Sequence, residues 1–172
     1  MDTVHKLEKQ VEEWLKPLPH LPEDWRKWIA NNVWWIVLIG VILSVIGGLA
    51  LAGALFAAMG ATATVNTLYS SLGVSGVPAY TGWWYAASAA SLVFLVITVV
   101  IDALAVSPLK AKNQKGWDLL FLSFLIGVLS SIVGVVLNVT TGNLVGSLIG
   151  GVIGVVISAY FLFEIRSYFK QA

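Results

Sequence analysis

The sequence predicts an all-α membrane protein, a four-transmembrane-helix bundle preceded by an N-terminal amphipathic helix. Three observations predict it. Hydrophobic residues make up 58% of the chain, charged residues only 11%, and the mean hydropathy is +0.86, whereas a soluble domain is about a quarter charged. No charged side chain occurs between Lys27 and Asp102, nor between Asp118 and Glu164. The basic residues flank the apolar runs on one side only of a four-span layout.

The first segment, residues 1–32, is expected to lie outside the hydrocarbon. Val4, Leu7, Val11, Trp14 and Leu15 recur at helical spacings of three and four among Lys, Glu and Gln, which marks a narrow amphipathic stripe. Two placements follow. The helix lies on the inner membrane surface or docks a partner, or it packs on the protein's own cytoplasmic face. Pro17, Pro19 and Pro22 then interrupt it, because each removes a backbone donor and restricts the residue before it. Glu23 and Asp24 suit a new first helical turn. Trp25, Trp28, Trp34 and Trp35 with Arg26 and Lys27 mark a headgroup layer, so the membrane boundary is expected near residues 31–34.

The membrane domain is expected over residues 33–166, with spans at about 33–58, 83–105, 119–139 and 144–165. Each is long enough for a hydrocarbon core of about 30 Å. Between the first two spans, Val65, Leu68, Tyr69 and Leu72 suggest a separate short helix at the outer interface, and residues 73–82, with Pro78, an irregular turn. Trp83, Trp84 and Tyr85 form an outer aromatic belt. Residues 107–118 make a polar loop holding Lys110, Lys112 and Lys115, residues 140–143 a tight turn, and residues 167–172 a basic tail. Arg26, Lys27, the loop lysines, Arg166 and Lys170 share one side, and the other side has no Lys or Arg. The positive-inside rule then puts both termini in the cytoplasm of a cell inner membrane. The charged first residues do not resemble a cleavable signal peptide, so the first apolar run is expected to be an uncleaved anchor.

Small residues recur every fourth position at Gly142, Gly146, Gly150, Gly154 and Ser158, keeping roughly to one side of the last span. Such a row forms a groove in which another helix can approach closely. Gly40, Gly47, Gly127 and Gly134 are further packing candidates. They belong to an internal repeat: Leu38, Ile39, Gly40 and Val41 recur as Leu125, Ile126, Gly127 and Val128, and Ser44 and Gly47 match Ser131 and Gly134. The repeat predicts two tandem helical hairpins. Paired glycines in corresponding spans can also mark broken helices around a transport site, but close packing accounts for them without orphaned backbone groups.

Candidates for chemistry are few. Asp102 and Glu164 fall near the inner ends of their spans, where the helix dipole disfavours an anion. Each is expected to pair with a cation, Arg166, Lys110 or Lys112, or else to line an inner vestibule. Asp118 suits a helix start. His5 and His20 are too isolated for a metal site. Asn138, Val139 and Thr140 match a glycosylation sequon, but one close to the membrane. The absence of cysteine excludes thiol chemistry, disulfides and a lipoprotein anchor. No nucleophile elbow, phosphate loop, paired carboxylates or nucleic-acid patch occurs.

The ending GSLIGGVIGVVISAYFLFEIRSYFK, with the charged N-terminal helix, tryptophans and Gly-rich spans, resembles uncharacterised small polytopic membrane proteins of bacteria with reduced genomes. That resemblance implies a bacterial inner membrane and no activity. The expected function is structural or interactive rather than enzymatic. The chain is read as assembling in the lipid bilayer, as a homo-oligomer or an accessory subunit of a larger membrane complex, through its Gly-rich faces. It is expected to need no cofactor and to bind no nucleic acid. The alternative is a small channel or carrier for neutral solutes.

Overall fold

The computed structural model describes residues 2–73, 82–138 and 144–169. The order is α1 (Asp2–Leu15), α2 (Glu23–Ser71), α3 (Gly82–Lys110), α4 (Gln114–Asn138), α5 (Leu144–Glu164) and a closing 3₁₀ turn, Arg166–Tyr168. No strand occurs among the described residues. Four of these helices, α2 to α5, are long and apolar enough to cross a membrane. The expected turn at 140–143, with Gly142, the last two residues of the sequon, and most of the turn at 73–82 lie outside the described residues, as does the end of the basic tail.

The first span departs from expectation. It is not a helix over 33–58 with a separate short one beyond it, but one continuous helix of 49 residues, about 73 Å long at 1.5 Å per residue. The threonines that look like a break are satisfied inside the helix. Thr62, Thr64 and Thr67 donate to the carbonyls of Ala58, Gly60 and Ala63, one turn back. Each hydroxyl is thereby satisfied within the helix, and the helix continues through all three. The N-terminal boundary does match: α2 opens at Glu23, and the Pro22 carbonyl accepts from Trp25 and Arg26 N–H.

Helices α2 and α3 run antiparallel side by side. Thr62 Oγ1 meets the Tyr85 hydroxyl at 3.0 Å near one end, and Lys112 bonds Asn31 near the other. Between them Gly48 faces Leu95: a Cβ on Gly48 would fall 2.8 Å from Leu95 Cδ2. Helix α3 also packs along α4, and α4 in turn on α5.

A sharp turn joins α3 to α4. Asn113 N–H reaches back to the Pro108 carbonyl at 2.9 Å, and Lys112 takes a left-handed φ of 53°, the helix-ending geometry usually given to glycine. Asn113 Oδ1 then accepts from Lys115 N–H at 3.0 Å, capping α4. Gly116 makes the crossing feasible. A Cβ there would stand 2.6 Å from the Leu109 backbone nitrogen.

The core sits at this end of the molecule. Ala30 and Val33 of α2, Ala105 and Leu109 of α3, Trp117 and Phe121 of α4, and Leu162, Ile165 and Phe169 form one buried cluster. Trp117 and Phe121 stack at 5.4 Å, and Phe163 stands edge-on to both. The buried indole N–H of Trp117 donates to the Leu162 carbonyl at 2.9 Å. That carbonyl belongs to the last turn of α5, where no intrahelical donor remains. One contact thus satisfies two groups. Toward the other end, the apolar side chains of α2 and α5 are largely exposed, as Leu43, Leu49, Ile149 and Val152 show.

A candidate interaction surface and its charged base

The charged groups gather in one layer beside the core. Glu164 closes α5 with only 8% of its surface exposed. Its Oε2 lies 3.6 Å from Arg26 Nε and accepts from Leu21 N–H at 3.3 Å, and its Oε1 is 2.7 Å from His20 Nδ1. The cation is therefore Arg26, not the expected Arg166 or a loop lysine. The cause is the path of residues 16–22, which fold over the end of α5, where the Tyr160 hydroxyl donates to the Pro19 carbonyl. This brings the first turn of α2 onto the acid.

Arg166 serves a different purpose. It pairs with Glu8 and, at 2.7 Å, with Glu12 of α1, and its guanidinium lies 5.2 Å from the centre of the Trp117 ring. Glu8 is buried by this contact, whereas Trp14 on α1 is exposed. Lys110 stands over Trp34 at 5.0 Å. Arg26, Lys110, Lys112 and Arg166 thus all lie at one end of the helices. Sequence reasoning identified these residues but not their pairing, and it overlooked His20 as a partner and Gly48 and Gly116 as close-contact positions.

Asp102 lies deeper. It stands eight residues before Lys110, about 12 Å along α3. Ser123 of α4 is in hydrogen-bonding reach of it, and no cation among the described residues is within ion-pair distance. Here the expected pairing is not met. The loop lysines sit beyond the end of α3, with Lys110 engaged on Trp34 and Lys112 on Asn31.

Asp102 lines a cleft of about 400 Å³ between α3, α4 and α5, together with Thr98, Ser123, Ser131, Gly150, Gly154 and Ser158 among others. The glycine row thus borders open space. Nothing lies within 4 Å of a Cβ built on Gly150 or Gly154, nor on Gly40, Gly47, Gly127 or Gly134. A Cβ on Gly151, one residue off the row, would come to 4.0 Å of Ser131 Cβ on α4. A second, apolar groove of about 320 Å³ follows α4 and α5 past Ile132, Val135, Leu148 and Val152. Gly146 is helical in α5, but the surroundings described here begin at Leu148.

The fold and its charged base define a polytopic α-helical membrane protein. No protein-family model, curated protein or solved structure matches the chain.

Proposed function

We propose that this protein is an interaction component of a bacterial inner membrane, not an enzyme, which assembles as a homo-oligomer or an accessory subunit through its Gly-rich helix faces. The observation that carries this reading is the unfilled cleft along Gly150, Gly154 and Ser158. Close helix contacts are a main source of cohesion in lipid, where apolar association gains nothing from water exclusion. A row of glycines left open within one chain is a surface for another. Both termini are cytoplasmic in this reading, supported by the basic residues gathered at one end. Helix α1 then lies at the inner interface, held by Arg166. The tandem-hairpin repeat is supported by the matching open settings of Gly40 with Gly127 and Gly47 with Gly134.

The test compares Gly150→Leu with Val152→Leu, with copy number and bound partners read by native mass spectrometry from mild detergent. Gly150→Leu is expected to abolish the assembled species and leave the single chain's melting temperature unchanged, since its side chain enters open space. Val152→Leu is expected to leave both unchanged. Equal behaviour of the two variants sinks the reading. The second reading, a channel or carrier for small neutral solutes, draws its support from the hydroxyls of Thr98, Ser123, Ser131 and Ser158 in the cleft.

A further inference from the structure

We infer that the cleft receives a transmembrane helix of a different protein, and that this helix carries a lysine or arginine at the depth of Asp102. The inference rests on the assembly reading above and names the partner's chemistry. Hydrogen-bond bookkeeping comes first. Thr98 Oγ1 already donates to the carbonyls of Phe94 and Leu95, and Ser131 Oγ donates to that of Gly127 at 2.9 Å. Their hydroxyl protons are spent on their own helices, so they offer the cleft lone pairs. Ser123 is engaged with Asp102. The carboxylate itself only accepts. Apart from the Ser158 hydroxyl, the polar groups of the cleft therefore offer acceptors, and a cationic donor is what complements them.

The shape of the cleft selects a helix. Apart from this cluster its walls are apolar or glycine, with Leu120, Phe124, Val128 and Val155 beside Gly150 and Gly154. A long apolar body with one cation fits that lining. A second copy of this chain does not supply the charge, because its spans have no Lys or Arg at this depth: none occurs between Lys27 and Lys110, nor between Lys115 and Arg166. An ionised group at membrane depth normally faces the interior of a bundle and has a partner. Among the described residues Asp102 has a Ser neighbour and no cation, and we place its partner outside the chain.

The test uses the full chain in lipid discs, titrated with labelled leucine–alanine membrane helices. One carries a single lysine about 12 Å inside its cytoplasmic end; its relatives carry leucine or glutamate there. The lysine helix is expected to bind about tenfold or more tighter than the leucine helix, as close charge pairs do, and the glutamate helix more weakly than either. Asp102→Asn should erase the lysine advantage and leave the leucine helix unaffected. Gly154→Leu should weaken every helix alike. No lysine advantage in the parent chain, or an advantage that persists in Asp102→Asn, overturns the inference. If the leucine helix still distinguishes the parent from Gly154→Leu, the assembly reading survives that failure; if Gly154→Leu changes nothing, that reading falls too. Octylamine is titrated in parallel. Asp102-dependent binding of octylamine without a lysine-helix advantage would assign the cleft to a small amine and overturn the helix as its occupant.

Discussion

Arg166 Nη1 stands 2.7 Å from Glu12 Oε2, so the end of the last membrane helix holds the N-terminal helix from 154 residues away in the chain. Glu8 joins the same guanidinium. This clasp is what attaches α1, since the other described elements touch it little.

Reversing the charge at Arg166 should therefore release α1. Arg166→Glu is expected to make the Lys6–Leu7 and Lys9–Gln10 bonds cleavable by trypsin under conditions where the parent resists. The Glu12 pair is partly exposed and worth about 0.2–1 kcal/mol, but Glu8 is buried and would face a second anion, so the melting temperature should fall as well. Glu12→Arg added to Arg166→Glu should restore part of the protection of the Lys6 and Lys9 bonds, read from the fragment masses because the substitution itself adds a trypsin site. Equal trypsin sensitivity of parent and single variant would show that the clasp does not hold α1.

Glu164 is buried against Arg26 and the Leu21 N–H. Glu164→Ala leaves Arg26 without its counter-ion and that amide without an acceptor. Orphaning such groups costs about 1–3 kcal/mol, taken at the lower part of that range because the Arg26 side chain retains 30% exposure. Thermal unfolding in detergent should show the loss, and Glu164→Gln should recover part of it. A Glu164→Ala melting curve that overlays the parent's would contradict the assignment.

Gly116 and Gly48 provide a graded pair. A methyl at Gly116 meets the Leu109 backbone at 2.6 Å, whereas one at Gly48 meets only the tip of the Leu95 side chain. Backbone cannot yield as a leucine tip can, so Gly116→Ala should cost about 1–3 kcal/mol and Gly48→Ala distinctly less. The order of their melting temperatures decides it. A reversed order would mean that the α3–α4 turn is not the tight crossing described above.

The proposed orientation is checked by labelling. Ser71, the last residue of α2, and Ala111, in the α3–α4 turn, are both exposed. Cysteines introduced there should react with an impermeant maleimide from outside the cell at position 71, and at position 111 only after the membrane is opened. The opposite pattern inverts the topology.

Much of the fold was legible in the sequence for local reasons. Uncharged runs marked all four membrane helices, and the acids Glu23 and Asp24 after Pro22 marked the start of α2. The full length of α2 was not legible. Val65, Leu68, Tyr69 and Leu72 suggest a separate short helix, whereas the helix runs on through Thr62, Thr64 and Thr67, whose hydroxyls bond carbonyls one turn back. The glycine row was legible as a row, while its surroundings were not. Gly150 and Gly154 border open space, and off-row Gly151 approaches α4.

By itself the sequence determined that the chain has four helices apolar enough to cross a membrane and which residues carry charge, because hydropathy is a property of neighbouring residues. The tertiary structure decided who meets whom. It gave Glu164 to Arg26 and His20, the latter 144 residues away, turned Arg166 to α1, and left Asp102 in a cleft with no cation beside it among the described residues. The physical reason is that lipid tails are as apolar as leucine. In such a solvent, composition does not separate a face that packs on protein from one that packs on lipid, and chain geometry alone selects among several equivalent charges.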